Sequence, residues 1–276
     1  MKKSMQLVAM FILSLATAAP AQIAPHQDRA REQATIEAKQ QYVGPAGPYS
    51  STTCSFTYSS GDDNKFMKYC VTANGNIAQF ENPIGHEYIA ATPIGEGYGV
   101  CDVDASKAYY DYAGYGDSGN WQPPVTLSSS ATSVKISRTT TDGIYTLTQT
   151  ITQNGGNPLV QVTMALKNNS TTARHVGLLR YADVDANGTT SNNLDYTKRT
   201  AFAYENFGYG LQIQFVSGSA FNGAYSQYVP GGPDPCNIFN HVAGPLQTTD
   251  GSIFAQYDMH LGKRATGTVA VTYKAF

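Results

Sequence analysis

The stretch that decides the fold runs from Leu159 to Asp185 and reads LVQVTMALKNNSTTARHVGLLRYADVD. Its first half alternates apolar and polar side chains, and the apolar set is Val160, Val162, Met164 and Leu166. Strict alternation of this kind is typical of a strand with one buried face. The polar run Asn168-Asn169-Ser170 then indicates a turn before the next strand. This stretch therefore predicts neighbouring antiparallel strands.

The same period of two recurs after residue 50. Further alternating apolar sets are Leu211, Ile213 and Phe215, and Val269, Val271 and Tyr273. Residues 132–181 read as four successive antiparallel strands joined by short turns, and no segment after residue 50 has a convincing helical period. We therefore predict an all-β protein, a large antiparallel β-sandwich, with residues 49–276 as its single domain.

The Leu159–Asp185 stretch resembles a meander of the galactose mutarotase-like β-supersandwich proteins. Gly75-Asn76-Ile77, followed by Pro83-Ile84-Gly85, also suits that group. The resemblance implies a supersandwich-like fold, in which one strand delivers polar residues to a concave sugar-binding face. The family's catalytic His and Glu signatures are not recognisable in this sequence, so its activity is not carried over.

The first residues have the pattern of an export signal. Lys2 and Lys3 precede the apolar run 7–16, and Ala19-Pro20-Ala21 offers a cleavage site with small side chains. The run is shorter than the ~20 apolar residues of a membrane span, so we predict no membrane insertion. We predict a signal peptide over 1–21, a secreted (periplasmic or extracellular) mature protein, and an N-terminal arm or linker over 22–48 that ends in Gly44-Pro45-Ala46-Gly47-Pro48.

Composition narrows the classes of ligand. Removing residues 1–21 takes away two of the 18 basic residues and none of the 20 acidic ones, which leaves a net charge of −4. This balance argues against nucleic acid, which selects basic surfaces. The chain has 19 tyrosines and only 14% charged residues. Neutral polar side chains and aromatic rings suit the stacking and hydrogen bonding of sugars, so carbohydrate is the predicted partner; the oligomeric state stays open.

The four cysteines predict two disulfides. An even number of cysteines behind an export signal favours disulfides over free thiols, and no C-x-x-C pair suggests zinc instead. Three pairings are possible, and we favour Cys54–Cys70 because the turn Gly61-Asp62-Asp63-Asn64 lies between them. Cys101–Cys236 is then the second bridge.

A cluster of aromatic residues between positions 109 and 121 is one candidate ligand site. It contains four tyrosines and the only tryptophan, interleaved with Gly and Asp. The residues predicted to contact a sugar are Tyr110, Tyr112, Tyr115, Asp117 and Trp121. In the alternative, half of these rings belong to the core, because tyrosine is also a common strand residue. Residues 204–209 form a smaller group of the same kind.

The segment Asp183-Val184-Asp185-Ala186-Asn187-Gly188 is a candidate calcium loop. Oxygen-bearing side chains on alternate residues, followed by glycine, match the first half of an EF-hand loop. The twelfth position is Leu194, with Asp195 one step later, so the match is partial. The predicted ligands of Ca²⁺ are Asp183, Asp185, Asn187 and Asp195, and the alternative is a β-turn that Asp and Asn favour on their own.

The sequence signals for catalytic residues are weaker than those for the aromatic cluster and the calcium loop. His86, Glu87 and Glu96 frame a Gly- and Tyr-rich segment, and either Glu could pair with Asp183 or Asp185 for glycoside chemistry. A chain with 20 acidic residues yields such pairs by chance. The sequence thus favours a carbohydrate-binding protein, with a mutarotase-, lyase- or hydrolase-like enzyme and a structural or adhesive surface protein as the alternatives.

Overall fold

A computed structural model describes residues 51–89, 95–114, 116–154, 158–216, 223–229, 234–236, 247–249 and 252–276. The predicted signal peptide 1–21, the arm 22–48 and Tyr115 lie outside the described residues. Among those described, no helix has the length and apolar character needed to span a membrane.

The described chain folds into eighteen strands and two short 3-10 helices. In chain order the strands are β1 Cys54–Ser60, β2 Met67–Thr72, β3 Ile77–Glu81, β4 Glu96–Asp102, β5 Lys107–Tyr112, β6 Gly116–Asp117, β7 Val125–Ser129, β8 Ser133–Thr139, β9 Tyr145–Gln153, β10 Leu159–Asn168, β11 Arg174–Asp183, β12 Asn192–Tyr196, β13 Thr200–Tyr204, β14 Gly210–Val216, β15 Gly223–Val229, β16 Gln247–Thr249, β17 Ser252–Leu261 and β18 Thr266–Ala275. The 3-10 helices are Asp63–Lys65 and Ala186–Gly188.

Three antiparallel sheets contain these strands. Nine strands form the order β16-β12-β13-β14-β18-β10-β9-β8-β7, six form β15-β17-β11-β4-β5-β6, and β1-β2-β3 make a small third sheet. The prediction of an all-β, antiparallel fold is confirmed.

The two large sheets share one apolar core. Alternate residues of β10 and β18 in the nine-stranded sheet, such as Val162 and Val271, are buried in the same cluster as Leu178 of β11 and Tyr257 of β17 in the six-stranded sheet. The period of two read from the sequence is therefore the period of burial, and the predicted sandwich is confirmed.

The fourth strand predicted in 132–181 belongs to a different sheet from the first three. β8, β9 and β10 pair in sequence order, whereas β11 pairs with β4 and β17 across the sandwich. β11 is buried on both faces from Val176 onward, unlike the alternating β10. Its apolar run Val176-Gly177-Leu178-Leu179 suits a central strand that is covered on both sides.

An ion pair lies inside the core between the two sheets. Arg180 of β11 and Glu96 of β4 are both fully buried, and the Arg180 Nη2 donates to Glu96 Oε2 at 2.6 Å. Tyr273 from the facing sheet donates to the same carboxylate at 2.5 Å, and Arg180 Nη2 also donates to the Gly75 carbonyl at 3.1 Å. These bonds satisfy the buried charges, and they hold Glu96 away from solvent.

Both predicted disulfides are present. Cys54–Cys70 joins β1 to β2 around the turn at Gly61, and Cys101–Cys236 closes 135 residues. The second bridge fixes a short segment against the outer face of the six-stranded sheet, where Pro235 lies against Gly99 and accepts a 3.0 Å hydrogen bond from Gln256 Nε2. The segment at Pro235 therefore covers the outer face of this sheet around Gly99 and Gln256.

Candidate functional site

Three connecting segments meet at one end of the sandwich and form the candidate site. They are the loop 82–89, the turn 184–189 and the β13–β14 hairpin at 205–209. The turn runs alongside the loop, because Asp185 N donates to the Tyr88 carbonyl and Asn187 N donates to the Glu87 carbonyl, each at 2.9 Å. Side chains more than a hundred residues apart in sequence are thereby brought together.

A hydrogen-bonded chain of three side chains crosses this site. His86 Nδ1 lies 2.9 Å from Asn187 Oδ1, and Asn187 Nδ2 donates to Glu205 Oε1. The carboxylate accepts only, so the amide nitrogen faces Glu205 and the amide oxygen faces His86. This network assigns the imidazole proton to Nδ1 and leaves Nε2 as the acceptor of the neutral ring.

An aromatic ring supports the histidine. The imidazole of His86 stacks on Tyr209, with centroids 3.7 Å apart and planes inclined by 20°. Tyr209 follows Gly208, whose φ of +93° turns the hairpin back so that Glu205 N donates to the Tyr209 carbonyl. The hairpin therefore delivers both the carboxylate and the ring to His86, and its tip carries Phe207, which is 76% exposed.

Negative charge is concentrated beside these groups. Burial, followed by the nearby Tyr209, Glu205 and Glu87, raises the pKa of Tyr88 above its ordinary value. The neutral Tyr88 phenol donates to the Asn82 carbonyl at 2.8 Å. A site with this electrostatic character favours donors such as sugar hydroxyls over further anions.

The weak catalytic candidates are divided between two places. His86 belongs to the site, and Glu87 lies next to it, but the Glu87 carboxylate accepts from Phe80 N at 2.9 Å and Ile89 N at 3.0 Å. Glu96 is bound to Arg180 inside the core. Of the three candidates, only His86 belongs to the hydrogen-bonded chain with Asn187 and Glu205, and its side chain is 7% exposed.

The predicted calcium ligands are distributed around the same end. Asp183 accepts from Ser252 Oγ at 3.0 Å, Asn187 is bound by His86 and Glu205, Asp185 is fully buried, and Asp195 is exposed on β12. In the part of the chain that the structure describes, no three His, Cys, Asp or Glu side chains form a group that could hold a metal. Calcium binding stays a prediction.

The aromatic cluster lies on both sides of the six-stranded sheet. Trp121 is 6% exposed and packs edge-on against Tyr98 and Tyr109, and Tyr112 is fully buried. These two rings adopt the core alternative and do not form an exposed platform. Tyr110 is half-buried, and Asp117 is bound to Arg138 at 2.9 Å, so ligand binding by these two residues and by Tyr115 stays a prediction.

Sequence reasoning separated residues that the structure joins. His86 and Asn187 were assigned to different chemistries, and Glu205 and Tyr209 were only part of a second aromatic group. The signal that could have joined Glu205 and Tyr209 is the hairpin itself, because β13 and β14 pair directly and residues 205–209 connect them.

Comparisons with known proteins agree with this fold. No protein-family model and no curated protein matches the sequence. The solved structure of a bacterial glucoamylase complexed with acarbose is similar over 85% of this chain, with a TM-score of 0.57 and 11% identity. This chain spans 34% of that protein.

Mutarotase-like proteins are also among the similar structures. A galactose mutarotase-like protein from Lactobacillus casei has a TM-score of 0.48 and 10% identity over 80% of this chain and 100% of its own. A putative aldose 1-epimerase from Escherichia coli has a TM-score of 0.46 and 11% identity over 80% of this chain and 99% of its own.

Proposed function

We propose that this protein is exported and binds carbohydrate at the site formed by His86, Asn187, Glu205 and Tyr209. The single observation that carries the proposal is the hydrogen-bonded chain from His86 through Asn187 to Glu205, stacked against the Tyr209 ring. Sugars present hydroxyl groups and an apolar ring face. His86 and Glu205 are only 7% and 8% exposed, so a sugar would meet this chain where the half-buried Asn187 and Tyr209 reach the surface.

Export is supported by the chemistry of the cysteines. Two disulfides persist in oxidising compartments, and the sequence begins with the pattern of a signal peptide. The similar glucoamylase was solved with acarbose, which makes acarbose and neutral glucose oligomers the first ligands to test.

The test is calorimetric titration of the mature protein with acarbose and with a panel of neutral oligosaccharides. Glu205→Gln removes the charge that orients the Asn187 amide, and Tyr209→Ala removes the ring beneath His86. A hydrogen bond to a charged group is worth ~1.5–3 kcal/mol, so each variant should weaken binding about tenfold or more.

Phe207→Ala is the matched control, because Phe207 lies in the same hairpin but is exposed and outside the hydrogen-bonded chain. Binding that weakens equally in Phe207→Ala would place the ligand on the hairpin tip instead. Absence of binding by the whole panel would contradict the proposal.

A second candidate function is acid–base catalysis on the same sugar, in the manner of a mutarotase, lyase or hydrolase. The specific observation in its favour is that Asn187 holds the imidazole proton on Nδ1, which leaves Nε2 of His86 able to accept a proton. Reducing-sugar release or accelerated mutarotation that His86→Gln abolishes would support it. Binding with no turnover would leave the binding function alone.

A further inference from the structure

The outer face of the nine-stranded sheet is lined with hydroxyl groups. The four threonines at positions 146, 148, 150 and 152 alternate along β9 with buried residues, and all four are partly exposed. Their partners include Ser133, Ser137 and Thr139 on β8 and Thr163 on β10. On the far side of β10, Thr268 and Thr272 of β18 continue the same face as partners of Ala165 and Gln161. One side of the sandwich is therefore a nearly continuous array of short polar side chains.

These hydroxyls form cross-strand pairs. Ser133 Oγ lies 2.9 Å from Thr152 Oγ1, and Thr139 Oγ1 lies 3.0 Å from Thr146 Oγ1. Each hydroxyl retains one lone pair or one donor for a further partner, because a hydroxyl offers one donor and two acceptors. The face can thus hydrogen-bond to a ligand at many positions.

The charge of this face differs in sign from that of the whole chain. β8, β9, β10, β14 and β18, as the structure describes them, contain no Asp or Glu. Lys135, Lys167 and Lys274 are exposed on their outer side. β12 of the same sheet carries the exposed Asp195, so the excess of positive charge is confined to the part of the face that β8, β9, β10, β14 and β18 form, whereas the chain as a whole has a net charge of −2.

We propose that this outer face binds an acidic polysaccharide, specifically a polyuronate. The lysines supply the partners for carboxylates, and the hydroxyls and the amides of Gln161, Gln212 and Gln214 supply the partners for sugar hydroxyls. The three lysines lie on β8, β10 and β18, outside the segments that form the site at His86, although β14, which carries Gln212 and Gln214, follows the hairpin of that site. The inference goes beyond the proposed function and does not depend on it.

The spacing of the lysines requires a long ligand. Lys135 aligns with Thr150 and Thr163 across β9 and β10, and Lys167 lies four residues further along β10. With about 4.8 Å between strands and about 3.3 Å per residue, the two lysines are roughly 16 Å apart. A single sugar cannot reach both, whereas a chain laid across the strands reaches several charges and gains avidity from each.

Nucleic acid is the other common polyanion, and the face is poorly suited to it. Proteins that bind single strands stack bases on aromatic side chains and use arginine. Around Lys135 and Lys167, the outer residues of β8, β9 and β10 include neither. Near Lys274 one aromatic ring shares the face, because Phe202 of β13 is in register with Gln212 and Lys274. The chemistry of the face therefore favours sugar over base.

The experiment is affinity electrophoresis of the mature protein in gels that contain polygalacturonate, with dextran as the neutral polymer. The variant Lys135→Gln/Lys167→Gln/Lys274→Gln should weaken binding at least tenfold. Its matched control is Lys65→Gln/Lys198→Gln/Lys263→Gln, which removes three exposed lysines from other parts of the surface, and which should change binding less than twofold. Raising the salt concentration should weaken binding, because exposed charges are screened over about 10 Å at 0.1 M.

A second variant tests the hydroxyls without changing charge. Thr150→Val/Thr163→Val keeps the shape and the strand propensity of the pair but removes two hydroxyls, and should weaken polygalacturonate binding about threefold or more. Equal losses in the two lysine variants, equal retardation by dextran, or tighter binding of oligothymidylate than of polygalacturonate would each overturn the proposal. Tyr209→Ala should leave this binding unchanged, so failure here is distinguishable from failure of the site at His86.

Discussion

Arg180 and Glu96 place a guanidinium and a carboxylate in an apolar core where neither contacts solvent. Burial of an ion costs several kcal/mol, and the cost is offset only when partners satisfy both groups. Here Tyr273, Ile77 N, Gln149 and the Gly75 carbonyl complete the network. The pair therefore specifies how β4 and β11 face β18 more than it adds net stability.

Breaking that pair should be costly. Above pH 7, where Glu96 is ionised, Glu96→Gln would leave the Arg180 charge buried without its counter-ion, and the free energy of unfolding should fall by about 3–5 kcal/mol. Urea denaturation followed by circular dichroism measures it. The control is Lys107→Ala, which breaks the exposed Lys107–Asp142 pair, and which should cost about 1 kcal/mol or less. Equal costs for the two variants would contradict the argument.

The same carboxyl predicts a pH dependence of stability. Burial raises the pKa of Glu96 from 4.5 to about 7, against the opposing effects of Arg180 and of the hydrogen bonds from Tyr273 and Ile77. Between these values the folded protein holds a proton that the unfolded chain has lost. The stability that this carboxyl contributes is thus present below pH 4.5 and is lost as pH rises to about 7.

Urea midpoints at intervals between those pH values measure this effect. The matched variant is Glu96→Leu/Arg180→Met, which replaces both charges with apolar side chains and so leaves no buried charge unpaired. Between pH 4.5 and about 7, the free energy of unfolding of the natural protein should fall relative to that of this variant. A difference that stays constant with pH would show that Glu96 is ionised throughout.

Calcium binding at the turn after β11 is tested by melting curves. An ion held by Asp183, Asp185, Asn187 and Asp195 would stabilise the folded state by about 2.7 kcal/mol at a hundredfold excess over the dissociation constant. The melting temperature should then rise with calcium, fall with a chelator, and lose this response in Asp185→Asn. An unchanged melting temperature would show that the turn binds no calcium and is held by its hydrogen bonds to the Tyr88 and Glu87 carbonyls.

At the scale of elements, the two disulfides restrain the chain to different degrees. Cys54–Cys70 spans 16 residues between adjacent strands, and Cys101–Cys236 spans 135. In the chain-entropy account, loops of these lengths correspond to about 3 and about 5 kcal/mol. Cys101→Ser/Cys236→Ser should therefore lower the free energy of unfolding by more than Cys54→Ser/Cys70→Ser does, as measured by urea denaturation without reductant. The reverse order would show that the segment at Pro235 contributes little to the outer face of the six-stranded sheet.

The strands were predictable and the site was not, for one physical reason. Strands with one buried face alternate apolar and polar residues, so β9, β10 and β18 can be recognised from their local sequence. The sheet to which β11 belongs depends instead on which surfaces cover it. The contact between His86 and Asn187 joins residues 101 apart, and no local pattern encodes such a distance.

The aromatic cluster illustrates the same limit at a finer level. Alternation along β5 sends Tyr109 and Asp111 to the core side and Tyr110 and Tyr112 to the outer side. Composition could not reveal that the segment at Pro235 covers Tyr112, because the bridge from Cys101 sets that contact. The Gly and Tyr content that suggests a binding loop thus serves packing on both sides of one sheet.

The whole molecule presents two unlike surfaces to solvent. The end that carries His86, Glu205 and Tyr209 is acidic and aromatic, whereas the outer face of the nine-stranded sheet is hydroxyl-rich and carries Lys135, Lys167 and Lys274. The outer face of the six-stranded sheet is partly covered by the segment at Pro235. A polymer on the flat face and a short sugar at the end could bind at the same time, because the three lysines lie on β8, β10 and β18, outside the segments that form the site at His86.

The predicted export of the chain implies two covalent changes, the removal of residues 1–21 and the formation of two disulfides. A signal peptide over 1–21, as the sequence predicts, would be removed by cleavage after Ala21, and both disulfides would then form outside the reducing cytoplasm. The intact mass of the exported protein should therefore equal that of residues 22–276 less four hydrogens, two for each bridge. Replacing the small residue at the cleavage site, Ala21→Tyr, should leave the leader attached, while Ala24→Tyr, just beyond the site, should be processed normally. A mature mass that retains residues 1–21 in the natural protein, or four free thiols by alkylation, would contradict the assignment of this segment as a signal peptide that delivers the chain to an oxidising compartment.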